Sequence, residues 1–460
     1  MSLDSLAAVA LAVDGRLVGV DADFSAVSTD TRTLQAGELL FALRGDRFDA
    51  SDFVAQAAEQ GAVGAVVEHH VAADIAQVEV ADTRLALGDY AKAWRRRHNI
   101  HAVGVTGSNG KTTVKEMVAA IMRASTGSDD AVLATKGNLN NDIGLPLTVL
   151  QLRERHEIAV FEMGASAAGE IKYLASVAAP QVGIVTNAAA AHLEGFGSLA
   201  GVANAKGELF SALPEHGIAV LNRDDAFYDC WRERCGHVAQ LSFGQSSAAD
   251  FFATKIEEDP DAPELRFELH SPLGDVPLSL PMAGRHNVLN ALAAAAASVS
   301  LGADLDAVAQ GLRSVANVGG RLRLVAGASG VRVFDDTYNA NPDSVNAAIE
   351  FIAAQPGTRW LVLGDMGELG PDAPGLHSMV GEQVARANID GLWCVGELSR
   401  STANAFGDGA HWYADVAALI EALSDAMVPN VTVLVKGSRF MELERVVLAL
   451  TESQAEGAQS

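Results

Sequence analysis

Cysteine is scarce: the 460-residue chain has three, Cys230, Cys235 and Cys394, and no C-x-x-C pair. An odd count without that spacing argues against a disulfide framework or a cysteine metal site and fits reduced cytosolic thiols. Positive charge is short as well. Lysine and arginine number 33 against 58 aspartates and glutamates, a net charge of −25 with a pI near 4.8. A nucleic-acid binder presents a basic face, so DNA and RNA are not expected partners, and anionic small molecules must be met by local positive sites. No apolar run reaches the roughly 18 residues of a membrane span. Met1 to Leu11 carries Asp4 and neither a basic stretch nor a cleavage signal. Membrane insertion and secretion are therefore not expected, and the cytoplasm is the expected compartment.

What is present is a compact glycine loop. Thr106, Gly107, Ser108, Asn109, Gly110, Lys111, Thr112 and Thr113 follow the apolar run from Ile100 to Val105. Glycines let backbone N–H groups curl around an anion, the next helix presents its N-terminus, Lys111 adds a point charge and the Thr112 hydroxyl can ligate Mg²⁺. The commoner spacing G-x-x-x-x-G-K-[ST] needs glycine at 105, where Val105 stands. The short form narrows the field to particular ATP-using families. A glycine-rich turn with a stray lysine is the plain alternative, and the strand, loop and helix order argues against it.

The length suits about three domains, and 49% hydrophobic residues suffice for real cores. An α/β chain of three domains is expected: a small N-terminal α/β substrate domain over 1–98, a central P-loop domain with a doubly wound, mostly parallel sheet over 99–318, and a C-terminal Rossmann-like domain over 319–460. In the first block, Glu38 to Leu43 and Ala62 to Val67 read as strands and Phe53 to Gln60 as a helix. A further helix closes on Trp94, Arg95, Arg96 and Arg97, a basic run that reads as a solvated helix end. In the second, Glu157 to Met163, Val182 to Asn187 and Ile218 to Asn222 read as strands, and Leu199 to Leu213 and Asn287 to Leu301 as helices. Between 245 and 283 the texture turns to an antiparallel insertion or extension, and Ala291 to Ala297 reads as a closely packed core helix. Val331 to Phe334, Trp360 to Gly364, Leu392 to Gly396 and Val431 to Lys436 are the third block's strands. The tail from Glu452 to Ser460 is expected to fray.

Ligands in such sheets bind beyond the carboxyl ends of strands. Glu162 ends one strand and His192 follows another, so a carboxylate and an imidazole beside a phosphate loop suit a divalent cation bridging phosphate oxygens. Taken alone, Glu162 could pair with a lysine and His192 could be a satisfied loop histidine. Lys206, alone on a helix, reads as a solvated charge. His69, His70 and His98 read as surface residues.

Together, Thr106 to Thr113, Glu162, His192, Lys206, Gly284-Arg285-His286-Asn287 with Asn290, and Gly320-Arg321 resemble the Mur ligase family in type and order over nearly the whole chain. These are ATP-dependent amide-forming enzymes of peptidoglycan precursor synthesis. The loop Asp335-Asp336-Thr337-Tyr338-Asn339-Ala340-Asn341-Pro342 looks like that of the branch adding D-alanyl-D-alanine to UDP-N-acetylmuramoyl-tripeptide. Thr29 to Arg32, Arg44 to Asp49, Asn138 to Gly144, Leu363 to Leu369 and Lys436 to Arg439 agree with it, and the Asp-Asn-Pro-Arg motif of the diaminopimelate-adding branch is missing.

The resemblance implies an ATP-dependent acid–D-amino-acid ligase working through an acyl phosphate. Lys111, Glu162, His192 and Lys206 would be catalytic, with Lys206 carbamylated, and Thr112, Glu162 and His192 would hold Mg²⁺, with two ions expected. Gly107, Ser108, Asn109, Gly110, Lys111, Thr112, Thr113, Asn287, Arg321 and Asp335 would bind ATP. Ser28, Thr29 and Arg32 would meet the uridine nucleotide and Arg44, Asp46 and Asp49 the peptide, with Asn138, Asn141, Tyr338, Asn339 and Asn341 also on substrate. The resemblance leaves meso-diaminopimelate or lysine open as the third peptide residue. A monomer is expected, with a hinge at Gly319 and Gly320. Another amide ligase of the same family is one alternative, and two other classes compete: a generic P-loop phosphotransferase or motor, which leaves the third-block loop unexplained, and a silent nucleotide-binding scaffold, which would be expected to lose Lys111, the metal ligands or both.

Overall fold

The computed structural model describes residues 2–45, 49–259, 262–315, 319–327 and 330–452. Asp46, the boundary at 318 and the tail beyond 452 lie outside them.

Three large sheets, beside a two-stranded one of Asp4–Ser5 and Asp23–Phe24, organise the described residues. The N-terminal sheet has five strands in the order Arg16–Val18, Ala76–Glu79, Gly64–Val67, Leu39–Phe41, Val27–Ser28. All its pairings are parallel except that of Arg16–Val18. Leu39–Phe41 and Gly64–Val67 are buried along their whole length, which is the mark of a sheet covered on both faces. The helix Thr83–Arg96 follows, capped by Asp82, whose Oδ1 accepts from Arg84 N at 2.8 Å and Leu85 N at 2.9 Å. Its basic end departs from the expected solvated run: Arg95 is buried and donates to the carbonyls of Ala178, His98 and Ile100. Those carbonyls lie at the end of the helix Glu170–Ala178 and in the connection after Arg96, so this guanidinium fastens the first block to the second.

The central sheet has nine strands, in the order Gly274–Leu280, Leu265–Ser271, Phe251–Glu258, Ala239–Gly244, Ile218–Asn222, Val182–Val185, His101–Thr106, Ile158–Glu162, Val132–Ala134. From His101–Thr106 the chain goes to the edge strand Val132–Ala134, returns to Ile158–Glu162 between the two, then crosses to the other side at Val182–Val185. That reversal is a topological switch point, and it opens a crevice at the carboxyl ends of these strands. The segment between 245 and 283 is an extension, with antiparallel strands continuing the same sheet. Ala291 to Ala297 are buried in the helix His286–Ser300, as their small size allows. The expected helix from Leu199 to Leu213 is instead two, Leu199–Lys206 and Glu208–Ser211, joined at Gly207, where an added Cβ would meet Trp231.

The third sheet runs Arg323–Ala326, Arg332–Asp336, Val431–Lys436, Thr358–Gly364, Gly391–Val395, Ala410–Tyr413. Only Arg323–Ala326, a strand the sequence pattern did not reveal, is antiparallel. No helix of the described residues is long and apolar enough to cross a membrane.

Candidate active site

The phosphate loop sits at the switch point, between His101–Thr106 and the helix Lys111–Thr126. Its glycines are required. Gly107 and Gly110 have φ of +142° and +81°, and a Cβ on either would run into Thr186 or Asn290. Lys111 Nζ folds back onto the loop, donating to Gly107 O at 2.7 Å and Ser108 O at 3.0 Å. Burial pushes its pKa down to about 8, against the opposing pull of Glu162.

Glu162 ends its strand almost fully buried. Its backbone N–H donates to Thr135 Oγ1 at 3.0 Å, and its Oε1 accepts from Asn140 Nδ2 at 2.7 Å. Its Oε2 has no partner. So do Arg321 Nε and few other buried polar atoms among the described residues. A buried carboxylate oxygen without a donor is costly unless a cation completes it. No group of three or more histidine, cysteine or acidic side chains gathers for a metal among the described residues. The unpartnered Glu162 oxygen fits Mg²⁺, which takes few protein oxygens and completes its shell with phosphates and water.

The third domain reaches into the crevice through several side-chain contacts. Arg321 Nη2 donates to Thr112 Oγ1 at 2.8 Å, with its guanidinium 4.3 Å from the centre of the Tyr338 ring. Asn341 and Asn109 exchange side-chain amide bonds. Asp343 Oδ2 accepts from Ala190 N at 3.2 Å. Glu368 Oε2 lies 2.5 Å from His192 Nδ1, and burial nonetheless holds this imidazole below its ordinary pKa. Thr112 and His192, two of the three expected metal ligands, are thus engaged by the third domain.

These walls enclose a cavity of about 1090 Å³. Ser108 to Lys111, Thr113, Glu162, His192, Asn287, Arg321, Asn138, Asn141, Tyr338, Asn339 and Asn341 line it, while Gly107 and Thr112 do not. Asn287 is held by its own helix, donating to Ala283 O and accepting from Asn290. Asn141 Oδ1 accepts from Gly144 N at 2.9 Å, just ahead of the helix Gly144–Val149.

Some expected residues stand elsewhere. Asp335 is not on the cavity wall; its carboxylate locks its own loop, accepting from Gly320 N and Thr337 Oγ1. Asp336, its neighbour, lines the cavity instead and pairs with Lys436 at 2.7 Å. Strand alternation, which points adjacent residues to opposite faces, could have indicated one or the other but not which. Lys206 is also off the wall and is no solvated charge. It is 2% exposed, donates to Ala165 O at 3.1 Å, and lies 5.0 Å from the centre of the Phe196 ring. Burial, helped by Lys111, pushes its pKa down to about 7. Asn140, Glu368 and Lys436 were missed as site residues because each lies inside a motif whose individual roles spacing cannot divide.

Ser28, Thr29, Arg32, Arg44 and Asp49 are not brought to this cavity. They follow the carboxyl ends of the first domain's parallel strands, where Arg32 pairs with Asp30 and Arg44 stands 3.8 Å from both Asp49 and Glu68. Asp49 caps a short helical turn at Ser51. Glu68 Oε1 in turn accepts from Thr83 N, and the next residue, Arg84, lines the cavity.

Comparison with known proteins agrees with this layout. Residues 23–95 match the Mur ligase family catalytic domain, 105–298 the Mur ligase middle domain, and 320–439 the Mur ligase glutamate ligase domain. The UDP-N-acetylmuramoyl-tripeptide–D-alanyl-D-alanine ligase of Escherichia coli K12 is 46% identical over 96% of this chain and 97% of its own. MurF from Acinetobacter baumannii superposes with a TM-score of 0.91 at 35% identity, covering 96% of this chain and 98% of that one. The MurF ligase of Thermotoga maritima, solved with ADP, gives 0.82 at 27%, covering 94% and 98%. With 96% of its length matched at 46% identity, the chain belongs to the Mur ligase family.

Proposed function

We propose that the protein is the ATP-dependent ligase that joins D-alanyl-D-alanine to UDP-N-acetylmuramoyl-tripeptide, giving the pentapeptide, ADP and phosphate. The observation that carries this reading is one cavity walled by the phosphate loop, by the unpartnered Glu162 oxygen and by the third-domain residues Arg321, Tyr338, Asn339 and Asn341. A carboxylate is a poor acyl donor. Its oxygen therefore attacks the γ-phosphorus of ATP, the bond to the bridging oxygen breaks, and ADP leaves with an acyl phosphate in place. The neutral amine of D-alanyl-D-alanine then adds to the carbonyl, and phosphate departs from the tetrahedral adduct, taking up the amine proton.

Both steps are governed by charge placement. Lys111 and the loop amides hold the phosphates, Asn287 meets the base, and Arg321, whose Nε has no partner, faces the transferring group. Mg²⁺ supplies neutralisation of phosphate charge when bound, and Glu162, Thr112 and His192 are the residues that would hold it. Lys206 is the candidate for carbamylation: a neutral amine adds to CO₂ and releases a proton, turning a local positive charge into a carboxylate-like anion. The uridine end would lie on Ser28, Thr29 and Arg32, and the peptide would run past Arg44 and Asp49. We assign 1–98 to that substrate, 99–318 to ATP and 319–460 to closing the site, in a cytoplasmic monomer. Phosphate release from ATP tests the reading. Release that requires both UDP-N-acetylmuramoyl-tripeptide and D-alanyl-D-alanine supports it; hydrolysis indifferent to both overturns it.

A further inference from the structure

One part of the cavity wall is built by Asp82, Arg84 and Leu85 of the first domain, with Asn140, Asp142, Ser166, Glu170 and Tyr173 of the second. Four charged side chains stand there. Asp82 is consumed as a helix cap, and Glu170 accepts from Ser166 N at 2.7 Å and Ala167 N at 3.2 Å. Arg84 and Asp142 are committed only to each other, with Nε to Oδ2 at 2.5 Å and Nη2 to Oδ1 at 3.0 Å. Their side chains are 49% and 36% exposed, so the pair is held weakly against exchange with a ligand.

We infer that Arg84 and Asp142 form the subsite for the third peptide residue and select a side chain ending in both an ammonium and a carboxylate over one ending in an ammonium alone. This rests on the ligase reading above. The geometry follows from the chain: Asp142 is two residues from Asn140, which touches Glu162 at 2.7 Å, so its Cα lies within about 7.6 Å of the Asn140 Cα. The carboxylate to be activated must reach the γ-phosphate beside Glu162. The side chain of that same residue, a few methylenes long, then ends near Asp142. A terminal carboxylate takes two N–H donors of Arg84 and the adjacent ammonium takes Asp142, so both members of the opened pair are satisfied. A lysine side chain answers Asp142 and leaves Arg84 stripped of its partner beside a like charge. The Tyr173 hydroxyl, whose pKa is raised by burial and by the nearby Asp142, completes the wall as a neutral donor.

The test compares kcat/KM for the meso-diaminopimelate and lysine forms of UDP-N-acetylmuramoyl-tripeptide, with D-alanyl-D-alanine and ATP saturating. The wild type is expected to favour the diamino-diacid form by about tenfold to a hundredfold. Arg84→Met should remove most of that ratio by lowering only the diaminopimelate value, Arg84→Lys should restore part of it, and the KM for ATP should stay unchanged. Equal use of both forms by the wild type, or an equal fall for both in Arg84→Met, would overturn the subsite while leaving the ligase reading intact. Phosphate release with neither tripeptide would remove the ligase reading and the subsite together.

Discussion

Asn109 of the phosphate loop and Asn341 of the third domain meet amide to amide, each donating to the other's oxygen, at 3.3 and 2.8 Å. The contact couples two rigid supports. Asn109 is fixed by Asn187 and Thr186, which take its N–H and its carbonyl, and Asn341 caps the helix Pro342–Ala353 with Ser344 closing the capping box. Moving the third domain therefore moves a backbone segment that cradles phosphate.

Breaking this pair should slow turnover without unfolding the protein. Asn341→Ser retains a capping hydroxyl and loses the amide, and Asn109→Ala loses it from the other side. Each should lower kcat by about fivefold to thirtyfold, the range of a coupled pair worth ~1–2 kcal/mol. The double variant should be little worse than either single one. Steady-state kinetics on the four proteins measures this, and strictly multiplicative losses would mean that the two residues act independently.

Lys111 offers a sharper effect. Charge already in place where phosphoryl charge develops is a large catalytic quantity, so Lys111→Ala should lose on the order of 10³ in kcat. Its pKa is held down to about 8, so the free enzyme loses this proton as pH rises through that value. kcat/KM for ATP should fall above about pH 8, and Lys111→Arg should carry whatever activity it keeps to higher pH without that fall. A folded Lys111→Ala protein with more than a tenth of wild-type activity would remove the loop from the chemistry.

Arg32 separates the domains. Its side chain is 86% exposed and pairs with Asp30. Arg32→Ala should raise the KM for the uridine substrate by about tenfold and leave that for ATP unchanged. An equal rise in both would place this edge in the ATP site.

The strand–loop–helix core was legible because period, glycine spacing and a single lysine all fall within a dozen residues of one another. Glu162 and His192 could be placed beside it because strand ends in a parallel sheet share one edge. What could not be read were choices made by tertiary packing. Arg95 looks like Arg96 and Arg97 in sequence, yet it alone turns inward to chain carbonyls. Asp335 and Asp336 differ by one residue, and the pleat decides which faces the cavity. Glu368 closing on His192 joins residues far apart in sequence, and no local pattern announces such a contact.

Lys206 is the residue that sequence most undervalues. Its ordinary pKa of 10.5 is pushed down to about 7 in the folded protein, first by burial and then by Lys111. Between those values the unfolded chain holds a proton that the folded chain does not, so stability rises with pH across the window and the full cost of burying the ammonium is felt below about pH 7. Lys206→Met removes that cost. It should therefore melt higher than the unmodified wild type at pH 6, by an amount on the order of a few kcal/mol, and the advantage should shrink as pH rises toward 10. Activity should go the other way. Lys206→Met and Lys206→Arg should both lose most turnover, because neither side chain can carry CO₂, and a short carboxylate such as acetate should restore part of it to Lys206→Ala. Thermal melts across pH, read beside turnover of the same proteins, decide the matter: a pH-independent advantage would show that the buried amine is not neutral, and full activity in Lys206→Arg would reject the carbamate.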